Sequence, residues 1–126
     1  MTRARQCTVL VVDDERLIRD VLAEFLRDAG YDVANAENGR IALAVLERRL
    51  VDVILLDLMM PVMDGFAFRA RLLESPGLAQ IPVIVLSATF DVGAHLARVS
   101  PASYLSKPFD LGGVLQAVEA ACNRAA

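Results

Sequence analysis

Short apolar runs alternate with stretches whose apolar residues recur every three or four positions, from one end of the chain to the other. Thr8-Val-Leu-Val-Val12 is too short for a helix and rich in β-branched residues, which predicts a strand. Leu17, Ile18, Val21, Leu22, Phe25 and Leu26 then share one face of a helix. Asp13 or Asp14 is placed to cap that helix, and Gly30 to end it in a left-handed conformation. Tyr31–Ala36 reads as a second strand, and Asn38-Gly39 opens a helix carrying Ile41, Leu43, Val45 and Leu46 to about Arg49. Val51–Leu56 is apolar on both faces, as a central parallel strand covered on both sides must be. After the turn-rich loop from Met59 to Gly65, a helix with Phe66, Phe68, Ala70, Leu72 and Leu73 stops before Pro76-Gly77. Pro82–Leu86 is a fourth strand, Val92, Leu96 and Val99 mark a short fourth helix, and Pro101 cuts that helix off. Ala102–Leu105 is the fifth strand, and Asp110 caps a last helix built on Leu111, Val114, Leu115, Val118 and Ala121.

Five β–α units in this order predict an α/β fold, doubly wound around a five-stranded parallel sheet with right-handed crossovers. No linker or low-complexity segment interrupts the 126 residues, so one domain is expected over 1–126, with its core from about 7 to 124.

Composition narrows the function. A hydrophobic content of 56% is ample for a core, and 23% charged residues argues against disorder. The net charge of -3 and the lack of a basic face exclude general attraction to nucleic acid. Arg3 and Arg5 read as a solvated start, with no apolar signal core after them and no stretch long enough to span a bilayer. A cytoplasmic protein without membrane insertion is expected. Cys7 and Cys122 lie near opposite ends with no CxxC pair, which predicts two reduced cysteines packed as small hydrophobes.

The strand ends carry the chemistry. Asp13 and Asp14 follow the first strand, Asp57 the third, Ser87 the fourth and Lys107 the fifth. In a parallel sheet these ends share one edge, where open α/β sheets bind their ligands. Three crowded carboxylates repel one another, and oxygen-only ligands suit Mg²⁺. Asp57 is the candidate nucleophile, because a carboxylate can attack phosphorus to form an aspartyl phosphate. Ser87 and Lys107 are then the groups that bind the phosphoryl oxygens.

Four segments carry a resemblance: Thr8-Val-Leu-Val-Val-Asp-Asp-Glu15, Asp52-Val-Ile-Leu-Leu-Asp-Leu-Met-Met-Pro-Val-Met-Asp-Gly65, Ile84-Val-Leu-Ser-Ala88 and Tyr104-Leu-Ser-Lys-Pro-Phe109. Together, and in this order, they resemble the response-regulator receiver (CheY-like) domain. The resemblance implies a flavodoxin/CheY-like (βα)5 fold with strand order 2-1-3-4-5, and Asp57 as phosphoacceptor. It implies Mg²⁺ held by Asp13, Asp14, Asp57 and the backbone carbonyl of Met59, and a cis Lys107–Pro108 bond. Ser87 and Tyr104 fall where the family places its switch pair. The implied partners are a sensor histidine kinase or phosphotransfer protein and a downstream effector protein, with the chain a monomer or weak homodimer. Phosphorylation would change its conformation, and its own reactions would be self-phosphorylation from a donor and slow loss of the phosphate.

Some positions depart from that pattern. Ser100-Pro101-Ala-Ser103 replaces the usual Gly-Ala turn, and His95 reads as a surface residue and not a phosphocarrier. The competing reading is an aspartate-nucleophile phosphatase of the haloacid-dehalogenase type. That superfamily separates its two aspartates by one residue, whereas Asp13 and Asp14 are adjacent. A flavodoxin-like cofactor binder would need a hydroxyl- and glycine-rich phosphate loop where Asp13-Asp14-Glu15 stands.

Overall fold

In a computed structural model of the chain, residues 7–58, 60, 62–87, 101–107 and 109–125 are described, the side chains of Ser87, Arg124 and Ala125 excepted. Strands β1 (Thr8–Val12), β2 (Asp32–Ala36), β3 (Val53–Asp57), β4 (Val83–Ser87) and β5 (Ser103–Ser106) form one parallel sheet in the order β2-β1-β3-β4-β5. The expected doubly wound topology is thus the observed one. From β1 the chain goes outward to β2 and then returns to lay β3 on β1's other side, which puts the switch in winding between β1 and β3. Open α/β sheets bind their ligands at such a point, outside the carboxyl ends of the strands.

Helices α1 (Arg16–Asp28), α2 (Gly39–Arg48), α3 (Gly65–Leu73), α4 (Pro76–Ala79) and α5 (Leu111–Ala125) complete the described elements. They cover the sheet on both faces, and the pleat assigns alternate strand residues to two separate cores. Val9, Val11, Val53, Leu55, Ile84 and Leu86 pack with Leu22 and Leu26 of α1 and Val114 and Val118 of α5. Leu10, Val12, Ile54, Leu56, Val83 and Val85 pack on the other face with Ala42 of α2 and Phe68 and Leu72 of α3. Each fully buried Leu, Ile or Phe contributes on the order of 1.5–3 kcal/mol relative to exposure.

The ends of the helices follow local chemistry. The Asn38 side chain accepts the Ile41 N–H at 2.9 Å, Asp64 accepts that of Ala67 at 2.9 Å, and Asp110 accepts that of Gly113 at 2.6 Å. Gly30 holds φ 101° after α1, as its place after the apolar stripe predicts. The start of α1 differs from expectation. Its N-cap is Glu15, which makes no side-chain capping bond, and neither aspartate takes that place. Asp13 instead accepts the N–H of Glu15 at 2.9 Å, one residue before the helix, because its other oxygen is held by Lys107. Pro76-Gly77, read as a stop, begins the short α4, where proline's missing N–H costs nothing at the first turn.

The cysteine expectation is overturned: Cys7 and Cys122 form a disulfide, with 6.3 Å between their Cα atoms. They are 115 residues apart, but α5 runs back along the sheet and returns the chain to the start of β1. Among the described residues, no helix is long and apolar enough to cross a membrane. The expected fourth helix with His95, the residue Met59 and the Lys107–Pro108 bond lie outside the described residues.

Candidate functional site

Each candidate side chain is positioned by the end of a buried strand. Asp13 follows β1, and its N–H donates to the Ala36 carbonyl at 3.2 Å, which carries the β1–β2 ladder one residue further. Asp57 is the last residue of β3, opposite Leu86 of β4. Lys107 follows β5 directly, and Ser87 ends β4 opposite Ser106. One slip in any of these registers would turn the functional side chain to the wrong face.

The structure brings Asp13, Asp14, Asp57 and Lys107 together. The Lys107 ammonium donates to Asp13 Oδ2 at 3.0 Å and lies 3.6 Å from Asp57 Oδ1 and 3.9 Å from Glu15 Oε1. Its two nearest partners are nearly closed to solvent, at 0% exposure for the Asp13 side chain and 6% for Asp57. Burial alone would lower the Lys107 pKa, but its hydrogen bond to Asp13 and the charges of Asp57, Asp13 and Glu15 outweigh it and raise it. The lysine is therefore a fixed positive charge at neutral pH.

Asp13, Asp14 and Asp57 each offer one carboxylate oxygen, and the three oxygens lie within 4.8 Å of one another. One cation between them would satisfy all three, and exposed Asp14 leaves that position open to water. A hard divalent ion that keeps part of its hydration shell fits such a donor set.

Residues beyond the expected set shape the site. Arg19 Nη1 donates to the Asp13 carbonyl at 2.8 Å and ties α1 to the acidic turn. The loop after β3 folds back tightly: the Gly65 N–H donates to the Leu58 carbonyl at 2.9 Å. A Cβ on Gly65 would stand 2.6 Å from Leu58 Cα and 2.8 Å from the Asp57 carbonyl. Only glycine allows α3 to start this close to the end of β3. The Asp64-Gly65 dipeptide is the signal for this, since a capping residue before glycine marks a tight helix entry. Glu15 was visible only as part of the acidic run. Tyr104, on β5 opposite Val85, packs half-buried against the core of the α2–α3 face. Of the expected site residues, the Ser87 side chain and all of Met59 are outside what is described.

Comparisons with known proteins agree with this arrangement. A family model described as "Response regulator receiver domain" matches residues 9–119. The DNA-binding dual master transcriptional regulator RpaA of Synechocystis sp. is 37% identical over 125 residues, covering 92% of this chain and 49% of RpaA. The phosphate regulon transcriptional regulatory protein PhoB of Pseudomonas aeruginosa is 38% identical over 104 residues, 81% of this chain and 45% of PhoB. The chain thus spans about half the length of these curated relatives. Among solved structures, the chemotaxis response regulator CheY4 of Vibrio cholerae superposes with a TM-score of 0.85 at 32% identity, over 93% of this chain and 99% of CheY4. With the family matched along nearly its whole length and the acidic edge in place, the chain belongs to the response regulator receiver domain family, the CheY-like phosphoacceptors of two-component signalling.

Proposed function

We propose that Asp57 is the phosphoacceptor and that residues 1–126 act as one receiver domain, with its core from about 7 to 124. The observation that carries this reading is the Lys107 ammonium bridging Asp13 and Asp57 at a buried strand edge. An Asp57 oxygen attacks the phosphorus of a phosphorylated imidazole on a histidine kinase or phosphotransfer protein. The new O–P bond forms as the P–N bond breaks, and the nitrogen keeps the electron pair and takes up a proton. Lys107 holds its charge against the phosphoryl oxygens, and the Ser87 hydroxyl donates to one of them. Asp13, Asp14, Asp57 and the Met59 carbonyl are the residues to hold Mg²⁺. When bound, that ion neutralises charge on the phosphoryl oxygens. Water later hydrolyses the acyl phosphate slowly, so the chain turns over its own phosphate but its product is a conformation. Ser87 and Tyr104 are the switch pair, Tyr104 turning further into the sheet as Ser87 engages the phosphate.

The donor docks beside the site. Leu17 and Val21, exposed on α1, adjoin Phe109 and Leu111 around an apolar depression of about 290 Å³. Response regulators act between histidine kinases and downstream effectors; for this chain we assign a protein effector, no direct nucleic-acid contact, a cytoplasmic location and a monomeric or weakly dimeric state. The adjacent aspartates and the family match leave the aspartate-nucleophile phosphatase unfavoured.

The test is phosphorylation with acetyl phosphate. With Mg²⁺ the chain should gain one base-labile phosphoryl group by mass spectrometry, and Asp57→Asn should gain none. Undiminished labelling of that variant, or labelling in a chelator, would overturn the assignment.

A further inference from the structure

We propose that Cys7–Cys122 is a thiol–disulfide redox site that sets how firmly the C-terminal turns of α5 are held to the sheet. The bond joins the residue before β1 to the last turn of the last described helix, and so closes almost the whole chain into one ring. Both cysteines are half-buried at the rim of the α1–α5 core.

Leu111, Leu115 and Ala117 hold the first half of α5 to the core, but its C-terminal end has few buried residues apart from the disulfide. The helix's fully buried residues are Val114, Val118 and Ala121, and its first turn contains Gly112 and Gly113, weak helix formers. Beyond Val118, the fully buried side chain among the described residues is Ala121, next to the disulfide. Elements with so little buried apolar surface open locally, without global unfolding. In the cytoplasmic location assigned above, disulfides are rare, and those present are mostly transient or redox-sensing.

The exchange balances with a dithiol as reductant. Its thiolate attacks one cysteine sulfur and displaces the other, which takes a proton. Its second thiol then resolves the mixed disulfide, leaving two cysteine thiols and the cyclic oxidised dithiol. A small-molecule disulfide runs the reaction backwards.

The experiment treats the folded chain with dithiothreitol, counts thiols by alkylation and mass, and follows amide hydrogen exchange. The air-oxidised chain should have no free thiol. The reduced chain should have two while keeping its circular dichroism. Amides from Val118 to Asn123 should then exchange at least about ten-fold faster, with those of β3 still the slowest. A Cys7→Ser, Cys122→Ser chain should exchange like the reduced protein and ignore dithiothreitol. Should that variant not fold, the oxidised and reduced wild type decide alone. Free thiols in the air-oxidised chain, a bond reducible only after denaturation, or unchanged exchange in α5 each overturn the proposal. None of these readouts depends on phosphorylation, so their failure leaves the phosphoacceptor reading untouched.

Discussion

Replacing Asp57 by Asn should stabilise the metal-free protein, and the geometry says by how much. Asp57 feels two carboxylates whose nearest oxygens lie within 4.8 Å and one ammonium at 3.6 Å. At an effective dielectric near 20, each repulsion is about 3.5 kcal/mol and the attraction about 4.6 kcal/mol, so the two repulsions exceed the attraction by about 2 kcal/mol. Solvent around exposed Asp14 screens part of this, leaving about 1–2 kcal/mol. The amide keeps the shape of the carboxylate and removes its charge. For a domain of this size the melting temperature should rise by about 4–8 °C. The assay is differential scanning calorimetry in a chelator at low salt. Adding salt should shrink the difference. Adding Mg²⁺ should reverse it: an ion at about 100 times its dissociation constant stabilises the native state by about 2.7 kcal/mol, and the variant lacks one ligand for it. If Asp57→Asn melts at or below the wild type in chelator, the three carboxylates are not repelling one another and the charge argument fails.

Gly65→Ala should lose about 2–3 kcal/mol in urea unfolding at an unchanged m-value, because its Cβ meets backbone atoms that cannot move aside; an unchanged midpoint would refute that. Val62 holds φ 68°, a conformation β-branched residues avoid, while 76% exposed. Val62→Asn should therefore gain about 0.5–1 kcal/mol, and a loss in the same assay would show that the valine side chain has a packing role. Lys107→Met leaves two buried carboxylates without their cation and should cost about 3 kcal/mol, partly recovered by Mg²⁺. Because the folded-state pKa of Lys107 is raised, its stabilisation is complete below its ordinary value of 10.5 and is lost as pH rises through the folded value. The gap between wild type and Lys107→Met should thus be level from about pH 7 to about pH 9 and close only in stronger alkali, and a step near neutrality would contradict the raised pKa.

The sheet was legible in the sequence because four of its five apolar runs end in residues with chemistry. Asp13, Asp57, Ser87 and Lys107 cannot all follow parallel strands without sharing an edge. What could not be read was the pairing inside the site. Lys107 donates to Asp13 at 3.0 Å while standing 3.6 Å from Asp57, a preference set by where β5 ends relative to β1, with β3 and β4 between them. The cap of α1 moved to Glu15 for the same reason, since Asp13 was already engaged. The disulfide was hidden by 115 residues of separation, because spacing along the chain says nothing about where a returning helix ends. The helix α4 was missed because proline before glycine signals a stop as readily as a first turn.

The division of the interior into two cores has a consequence for how the chain tolerates change. Neighbouring residues of β3, such as Leu55 and Leu56, belong to different cores, so the strand ending in Asp57 is a partition one residue thick. Repacking α2 and α3 against one side alters none of the side chains that α1 and α5 meet on the other. Either helical layer can thus be rebuilt as a module while the partition, and the carboxylate at its tip, stay where they are.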